Sequence, residues 1–461
     1  MARNVTGSAM LRTTDTIAAL ATPAGTAAIA VVRVSGPDTQ RLAGELVGRL
    51  PPPRVARHCD YRDGAGTLVD DVLITVFVGP HSYTGEDALE VSCHGNPFIA
   101  QKILEDLLAR GCRPAEPGEF TQRAFLNGRM DLSQAEAVMD LIRARSDRAL
   151  AAAQQQLRGE LGRRINELIE ALLGVLARIE AYIDFPEEDL PPEDRAVVIL
   201  EVERVAQEAK RLLATSHFGE LLRDGIKTVI LGPPNVGKSS LLNRLVGRQR
   251  ALVSAEPGTT RDFIEERIIL GPHCLRLIDT AGVRATTAAL EKLGIEQTLL
   301  RAAEADLCLL VLDATQPELP VPAEVVARMR ADAAIVVINK VDLAPESGAL
   351  PDCPPGIPVL QVSALTGAGF DALVEAISAR VDSFQREAGG ETIAVNARHA
   401  CALTEAKEGL ERAKAKLSAN EAVELTASDL RFALAAFGEI TGKVDNERML
   451  DQLFASFCIG K

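Results

Sequence analysis

The segment around residue 235 constrains this chain more than any other. A short apolar run, Lys227 to Leu231, leads straight into Gly232-Pro233-Pro234-Asn235-Val236-Gly237-Lys238-Ser239, then into the helical Ser240-Leu241-Leu242-Asn243-Arg244-Leu245. Strand, G-x-x-x-x-G-K-S loop and helix in that order make a P-loop. Its glycines let backbone N–H groups face phosphates at a helix N-terminus. Lys238 reaches the terminal phosphates, and the Ser239 hydroxyl is placed to ligate magnesium. The chain must therefore contain an α/β nucleotide-binding domain.

Asn339-Lys340-Val341-Asp342 follows the predicted strand Ile335 to Ile338 and decides which nucleotide. A carboxylate accepts hydrogen bonds from both the ring N–H and the exocyclic amine of guanine, a donor pair that adenine lacks. Asp342 therefore selects GTP. Ser363-Ala364-Leu365, after the predicted strand Val359 to Val362, fits a loop whose backbone touches the guanine oxygen. Between these motifs lies Leu275-Arg276-Leu277-Ile278-Asp279-Thr280-Ala281-Gly282, a strand ending in D-x-x-G. There Asp279 holds the magnesium shell and the Gly282 amide senses the γ-phosphate. Thr260, in Gly258-Thr259-Thr260-Arg261-Asp262, offers a second hydroxyl to magnesium. The residue after D-x-x-G is Val283, which cannot orient water, so hydrolysis needs another device.

A chain of 461 residues holds about three domains at roughly 150 residues each. With 47% hydrophobic and 25% charged residues it is a soluble globular type, not a disordered or collagen-like one. The net charge of −14 is the wrong sign for a protein that coats nucleic acid, so any RNA contact must be a local patch. Cys59, Cys93, Cys112, Cys274, Cys308, Cys353, Cys401 and Cys458 are scattered without C-x-x-C pairs, which points to a reduced, cytoplasmic protein. The apolar stretch Ile17 to Val34 is interrupted by Pro23, Gly25 and Arg33, so neither export nor membrane insertion is expected. Cys458 followed by Ile459-Gly460-Lys461 is a poor lipidation signal.

Hydrophobic periodicity divides the chain. Short β-rich runs and one helical stretch between Ile17 and Phe125 indicate an α+β domain over residues 1–126. Apolar residues at Leu157, Leu161, Ile165, Leu168, Leu172, Leu176, Ile179 and Ile183 predict one face of a long helix. A second helix is predicted from about Glu193 to Leu213. Helical spacing returns with Leu403, Ala406, Leu410, Ala413 and Leu417. The expected architecture is multidomain α/β: a P-loop domain, 223–381, inserted into an all-α domain formed by 127–222 and 382–461.

P-x-N-V-G-K-S, G-T-T-R-D, D-T-A-G and N-K-V-D together look like the Era-like GTPases. Pro117-Gly118-Glu119-Phe120-Thr121-Gln122-Arg123-Ala124-Phe125-Leu126-Asn127-Gly128-Arg129-Met130-Asp131-Leu132 narrows the likeness, as do Ala181-Tyr182-Ile183-Asp184-Phe185-Pro186 and Phe457-Cys458-Ile459-Gly460-Lys461. They resemble the MnmE (TrmE) family of tRNA-modification GTPases from about Asp15 to Lys461. The resemblance implies an N-terminal domain that binds a tetrahydrofolate derivative, in its 5-formyl or 5,10-methylene form, and mediates homodimerisation. It implies a heterotetramer with MnmG (GidA), tRNA as substrate, and an aminomethyl or carboxymethylaminomethyl group added at the 5-position of the wobble uridine.

The same resemblance implies nucleotide contacts at 235–240 (Asn235, Val236, Gly237, Lys238, Ser239, Ser240), at Ser254, Thr259 and Thr260, at 279–282 (Asp279, Thr280, Ala281, Gly282), at Asn339, Lys340 and Asp342, and at 363–365. Magnesium would be held by Ser239 and Thr260. Potassium, replacing an arginine finger, would be held by Asn235, Ser254, Glu256 and Thr259. Glu291 would be the catalytic glutamate that orients water indirectly, and Cys458 a participant in the modification chemistry. Folate would lie against Arg33, Glu90, Arg129 and Lys461. Arg143, Arg145, Arg148, Arg158, Arg163 and Arg164 offer a basic stripe for tRNA. Two other readings stay open: an Era-like ribosome-assembly GTPase, and a folate-dependent one-carbon enzyme regulated by GTP.

Overall fold

The computed structural model describes residues 15–184, 192–248, 265–279, 305–316, 330–344, 356–387, 393–443, 450 and 453–460. The chain divides into two compact units, one running up to Met139 and resuming at Thr441, the other spanning Asp140–Ile440.

The first unit is built on a six-stranded sheet of order β3-β4-β5-β2-β1-β6. Its strands are β1 (Ile17–Leu20), β2 (Ile29–Ser35), β3 (Arg57–Arg62), β4 (Leu68–Phe77), β5 (Ala88–His94) and β6 (Arg113–Pro114). All neighbours are antiparallel except β1 and β6. Alternation along β2 buries Val32 and Val34 with helices α1 (Thr39–Val47) and α2 (Pro97–Ala109). Arg33 points to the other face, because successive strand side chains alternate. The register sets it directly opposite Glu90 on β5.

Helix α3 (Glu119–Leu126) follows β6, and α4 (Leu132–Arg143) follows α3. Phe454 and Phe457 of the chain's end bury themselves against Leu132, Ala135 and Met139 of α4. Burying each of these rings contributes about 1.5–3 kcal/mol relative to leaving it exposed. The tail then pairs Ile459 antiparallel to Pro117, and the Gly118 N–H donates to the Cys458 carbonyl at 3.3 Å. Gly460 has φ +90°, and a Cβ there would lie 2.4 Å from the Leu20 carbonyl oxygen, so the close approach to β1 requires glycine.

The second unit joins helices to a second six-stranded sheet. The helices are α5 (Asp147–Leu157), α6 (Glu160–Asp184), α7 (Pro192–Ala214) and α8 (Ser216–Asp224) before the sheet, and α11 (Ala397–Ala419) and α12 (Val423–Thr441) after it. Leu161, Ile165, Leu172 and Ile179 of α6 share one core with Val202 and Val205 of α7 and with Leu403, Ala406 and Leu410 of α11. Helices from both sides of the sheet segment thus complete one another's apolar faces. The predicted helix through Leu157 is two helices: Leu157 ends α5, and Gly159 at φ +81° breaks the chain before α6. The threefold and fourfold spacing ran across a break that only the backbone reveals.

The sheet has order β12-β11-β10-β7-β9-β8, from β7 (Ile226–Leu231), β8 (Glu265–Leu270), β9 (His273–Asp279), β10 (Leu307–Asp313), β11 (Ala334–Asn339) and β12 (Val359–Gln361). It is parallel except for β8 beside β9. Its strands β10 and β11 are near-continuous, fully buried apolar runs, as strands covered on both faces require. Helix α9 (Lys238–Arg248) follows the P-loop, and α10 (Phe370–Glu387) packs Phe370, Leu373, Ile377 and Val381 into the sheet's core.

Candidate functional site: a guanine-nucleotide cradle and a charged aromatic cluster

Parallel strands put their C-terminal ends on one edge, where ligands of open α/β sheets bind. The ends of β7, β9, β10 and β11 carry the P-loop, Asp279, Asp313 and Asn339 respectively. In the P-loop, Val236 is buried and anchors the turn, whereas Asn235, Ser239 and Ser240 are exposed. Asn235 has φ +65° and Gly237 φ +94°. A Cβ at Gly237 would come within 2.3 Å of Asn339 Nδ2, so this close approach needs glycine. The Lys238 ammonium folds over the loop and donates to the carbonyls of Gly232 (2.8 Å) and Pro233 (2.6 Å).

Asn339, 2% exposed, ties three loops together. Its Nδ2 donates to the Val236 carbonyl at 2.9 Å, and its Oδ1 accepts from the Ala364 N–H at 2.9 Å. Ser363 Oγ donates to Asp342 Oδ1 at 2.5 Å and accepts from the Thr366 N–H at 3.1 Å. The Asp342 side chain is exposed on the open side of the cradle, with Leu365 at its rim. The structure therefore brings the P-loop, N-K-V-D and S-A-L segments into one site.

Two residues of this site escaped the sequence reading. Arg244 of α9 donates to the carbonyls of Ala364 (2.9 Å), Leu365 (2.7 Å) and Thr366 (3.0 Å), with its guanidinium 5.9 Å from the Phe370 ring centroid. Asp313 accepts from Lys340 Nζ at 2.6 Å, and the same ammonium donates to the Asn235 carbonyl at 2.6 Å. Burial would push the Asp313 carboxyl up, but hydrogen bonds from Lys340 and Thr315 hold it below its ordinary value. The signal available in the sequence was a carboxylate closing an apolar strand, Leu307 to Leu312, where an unpaired charge is costly.

Asp279 ends β9 opposite Ile230 of β7, beside the P-loop strand. Its side chain, together with Ser254, Glu256, Thr259, Thr260, Thr280, Ala281, Gly282, Val283 and Glu291, lies outside the described residues.

In the first unit, Arg33 Nε and Nη2 donate to Glu90 Oε1 at 3.0 and 2.8 Å, and Nη1 donates to the Gly460 carbonyl at 3.3 Å. The guanidinium stands 5.5 Å from the Tyr83 ring centroid and 5.8 Å from that of Phe120. Arg129 is exposed, with its stem against Gly85. Cys458 is exposed on the tail, two residues before Gly460; Lys461 lies outside the described residues. In the same unit, fully buried Arg123 pairs with Glu119 (2.9 Å), Asp15 (2.7 Å) and Glu86 (3.2 Å), and Arg113 pairs with Glu119 and Asp15. Burial pushes Glu119 up, yet Arg113, the Glu116 N–H and Arg123 hold it below the usual carboxylate value.

The helical arginines do not lie on one helix. Arg143 closes α4, Arg148 lies on α5 and Arg163 and Arg164 on α6. Arg148 pairs with Asp382 at 2.7 Å, and Arg163 pairs with Glu160 and Glu167. Among the described residues no group of three or more His, Cys, Asp or Glu side chains could hold a metal ion, and no described helix is long and apolar enough to cross a membrane. Cys59, Cys93, Cys112, Cys274, Cys308, Cys401 and Cys458 are free thiols.

A P-loop at a sheet edge, with an Asn-centred base loop and an exposed carboxylate beside it, defines a guanine-nucleotide-binding domain, here carried within a helical domain. Residues 132–458 match the MnmE helical domain, and residues 16–129 match the N-terminus of the GTP-binding protein TrmE. Proteins named tRNA modification GTPase MnmE are 58% identical in Opitutus terrae, over 97% of this chain and 99% of that one, and 47% identical in Akkermansia muciniphila, over the same shares. The namesake from Symbiobacterium thermophilum is 45% identical, again over 97% and 99%. This chain belongs to the MnmE (TrmE) family of tRNA-modification GTPases.

Proposed function

We propose that this chain is a potassium-activated GTP hydrolase that works with an MnmG (GidA) partner on tRNA, adding an aminomethyl or carboxymethylaminomethyl group at the 5-position of the wobble uridine. The observation that carries the reading is the bracing of the P-loop and both base loops by Asn339, in a chain whose relatives are named for tRNA modification.

Each residue then has a physical task. Asp342, oriented by Ser363, accepts from guanine, and the backbone of the Ser363-Ala364-Leu365 loop touches the guanine oxygen. The N–H groups at the start of α9 and the Lys238 ammonium face the phosphates. Exposed oxygens of Ser239 and Asn235 are hard donors of the kind magnesium and potassium take, with Thr260, Ser254, Glu256 and Thr259 completing the sets. Those cations, when bound, would supply the positive charge that other GTPases draw from an arginine finger. Glu291 orients the attacking water, since Val283 cannot.

Arg33, Glu90, Arg129 and Lys461 hold the tetrahydrofolate derivative, which would supply the one-carbon unit. A half-buried arginine-carboxylate pair between two ring faces suits a flat heterocycle with both donors and acceptors. Cys458, on the tail two residues before Gly460, is the candidate participant in the modification chemistry. The chain acts in the cytoplasm as a homodimer, within a heterotetramer with the partner.

Mass spectrometry of wobble nucleosides, from cells lacking this gene and complemented with wild type or Cys458→Ser, tests substrate and site together. Wild type should restore the modified uridine. Unchanged nucleosides in the deletion strain, or equal GTP turnover in sodium and potassium buffers, would overturn the reading.

A further inference from the structure

We propose that Asp313 is a positioning residue for nucleotide binding, acting through the Lys340 ammonium on the backbone of the P-loop. Asp313 closes the central strand β10, and its side chain is only 6% exposed. A carboxylate so placed must be paired. Its two oxygens have separate duties. Oδ1 accepts from the Thr315 N–H (2.9 Å) and Oγ1 (2.7 Å), a local turn that fixes the plane of the carboxylate. Oδ2 is thereby aimed at Lys340 Nζ, 2.6 Å away.

Lys340 has φ +66°, and Asn235 has φ +65°; both are left-handed conformations that non-glycine residues adopt at a cost. Such backbone persists only where the surroundings over-determine it. One ammonium supplies that here: it spans Asp313 Oδ2 and the Asn235 carbonyl oxygen, both at 2.6 Å. Removing the carboxylate frees Lys340 and lets the Asn235 carbonyl turn away. The N–H groups of the loop are then no longer pre-aimed at the phosphates. The mount is reinforced by register, because Asp313 lies opposite Asn339, whose carbonyl accepts from the Ala314 N–H at 2.8 Å.

This inference rests on the nucleotide reading of the cradle and is tested by a double-mutant cycle. Affinity for fluorescent GDP is measured for wild type, Asp313→Asn, Lys340→Met and the double variant, with melting temperatures alongside. Asp313→Asn should weaken GDP by about tenfold, the size of a charge-assisted hydrogen bond. In the Lys340→Met background the same change should cost nothing further, because the two residues act in series. A merely structural carboxylate would lower the melting temperature and give losses that multiply in the double variant. Multiplying losses, or GDP binding by Asp313→Asn within twofold of wild type, would overturn the proposal. Should Asp313→Asn fold poorly, Thr315→Val loosens the same carboxylate without removing it. Its expected loss is about two- to threefold in wild type and none with Lys340→Met, and equal loss in both backgrounds would count against the series arrangement. Failure of wild type to bind GDP would defeat the nucleotide reading itself, and that arm shows it separately.

Discussion

The Ser363 hydroxyl donates to the Asp342 carboxylate at 2.5 Å, from a loop 21 residues further along the chain. The carboxylate proposed to select the base is therefore aimed by its neighbour loop, not only by its own. Asp342→Asn should lower GDP affinity by about tenfold to a hundredfold, the range for hydrogen bonds to a charged group. Ser363→Ala should lose less, because the carboxylate remains. Titration with fluorescent GDP ranks the two, and a larger loss for Ser363→Ala would contradict the assignment.

Arg244 offers a second test. It satisfies three consecutive carbonyls, those of Ala364, Leu365 and Thr366, so truncation leaves the loop without its brace. Arg244→Ala is expected to weaken GDP binding by about tenfold while changing turnover at saturating GTP far less. Lysine, lacking the planar fork, should restore only part of the affinity.

The buried charge cluster of the first unit makes a stability prediction. Arg123→Met removes one of the partners of Glu119, itself 1% exposed, which keeps Arg113 and the Glu116 N–H, and losing such a charge-assisted hydrogen bond costs about 1.5–3 kcal/mol. Chemical denaturation of the full chain, followed by a probe in the first unit, measures it. The pH dependence has a definite sign. Asp15 and Glu119 are held below their ordinary values of 3.8 and 4.5. Their contribution is complete above those values and fades as pH falls through the lower folded ones. Acid should destabilise this unit below about pH 4.5, and an Arg123→Met chain should show a shallower acid slope.

For the Arg33 cluster, Arg33→Ala and Glu90→Gln should each abolish measurable binding of a reduced folate while leaving GTP hydrolysis intact. Calorimetric titration and a phosphate-release assay on the same preparation separate the two activities.

Glu291→Ala should keep GTP affinity and lose most turnover in potassium buffer. Unaltered single-turnover hydrolysis would remove Glu291 from the mechanism.

Much of this was legible in the residues because it is local. Strand, loop and helix around Lys238 follow one another within twenty positions, and the apolar runs at Leu307 and Ile335 are long enough to need a buried parallel sheet. The spacing of Leu403, Ala406 and Leu410 likewise predicts α11, whose buried face they form. Arg244 and Asp313 were illegible for the opposite reason. Their partners stand 120 and 27 positions away, and nothing in a helix arginine or a strand-end aspartate says which carbonyl or ammonium it will meet. The opposition of Arg33 and Glu90 depends on a strand register across 57 positions, which spacing alone does not fix. The end of α5 was missed because Gly159 interrupts the backbone without interrupting the hydrophobic stripe.

Strand β9 gives the second unit a mechanical property. At its start, His273 and the Arg148 guanidinium both meet Asp382, 3.1 and 2.7 Å away, so the hairpin tip is clamped between α5 and α10. At its other end sits Asp279. A pleated strand hydrogen-bonded along both edges scarcely shortens, so any displacement of its aspartate end along the strand axis would have to be borne at the clamp.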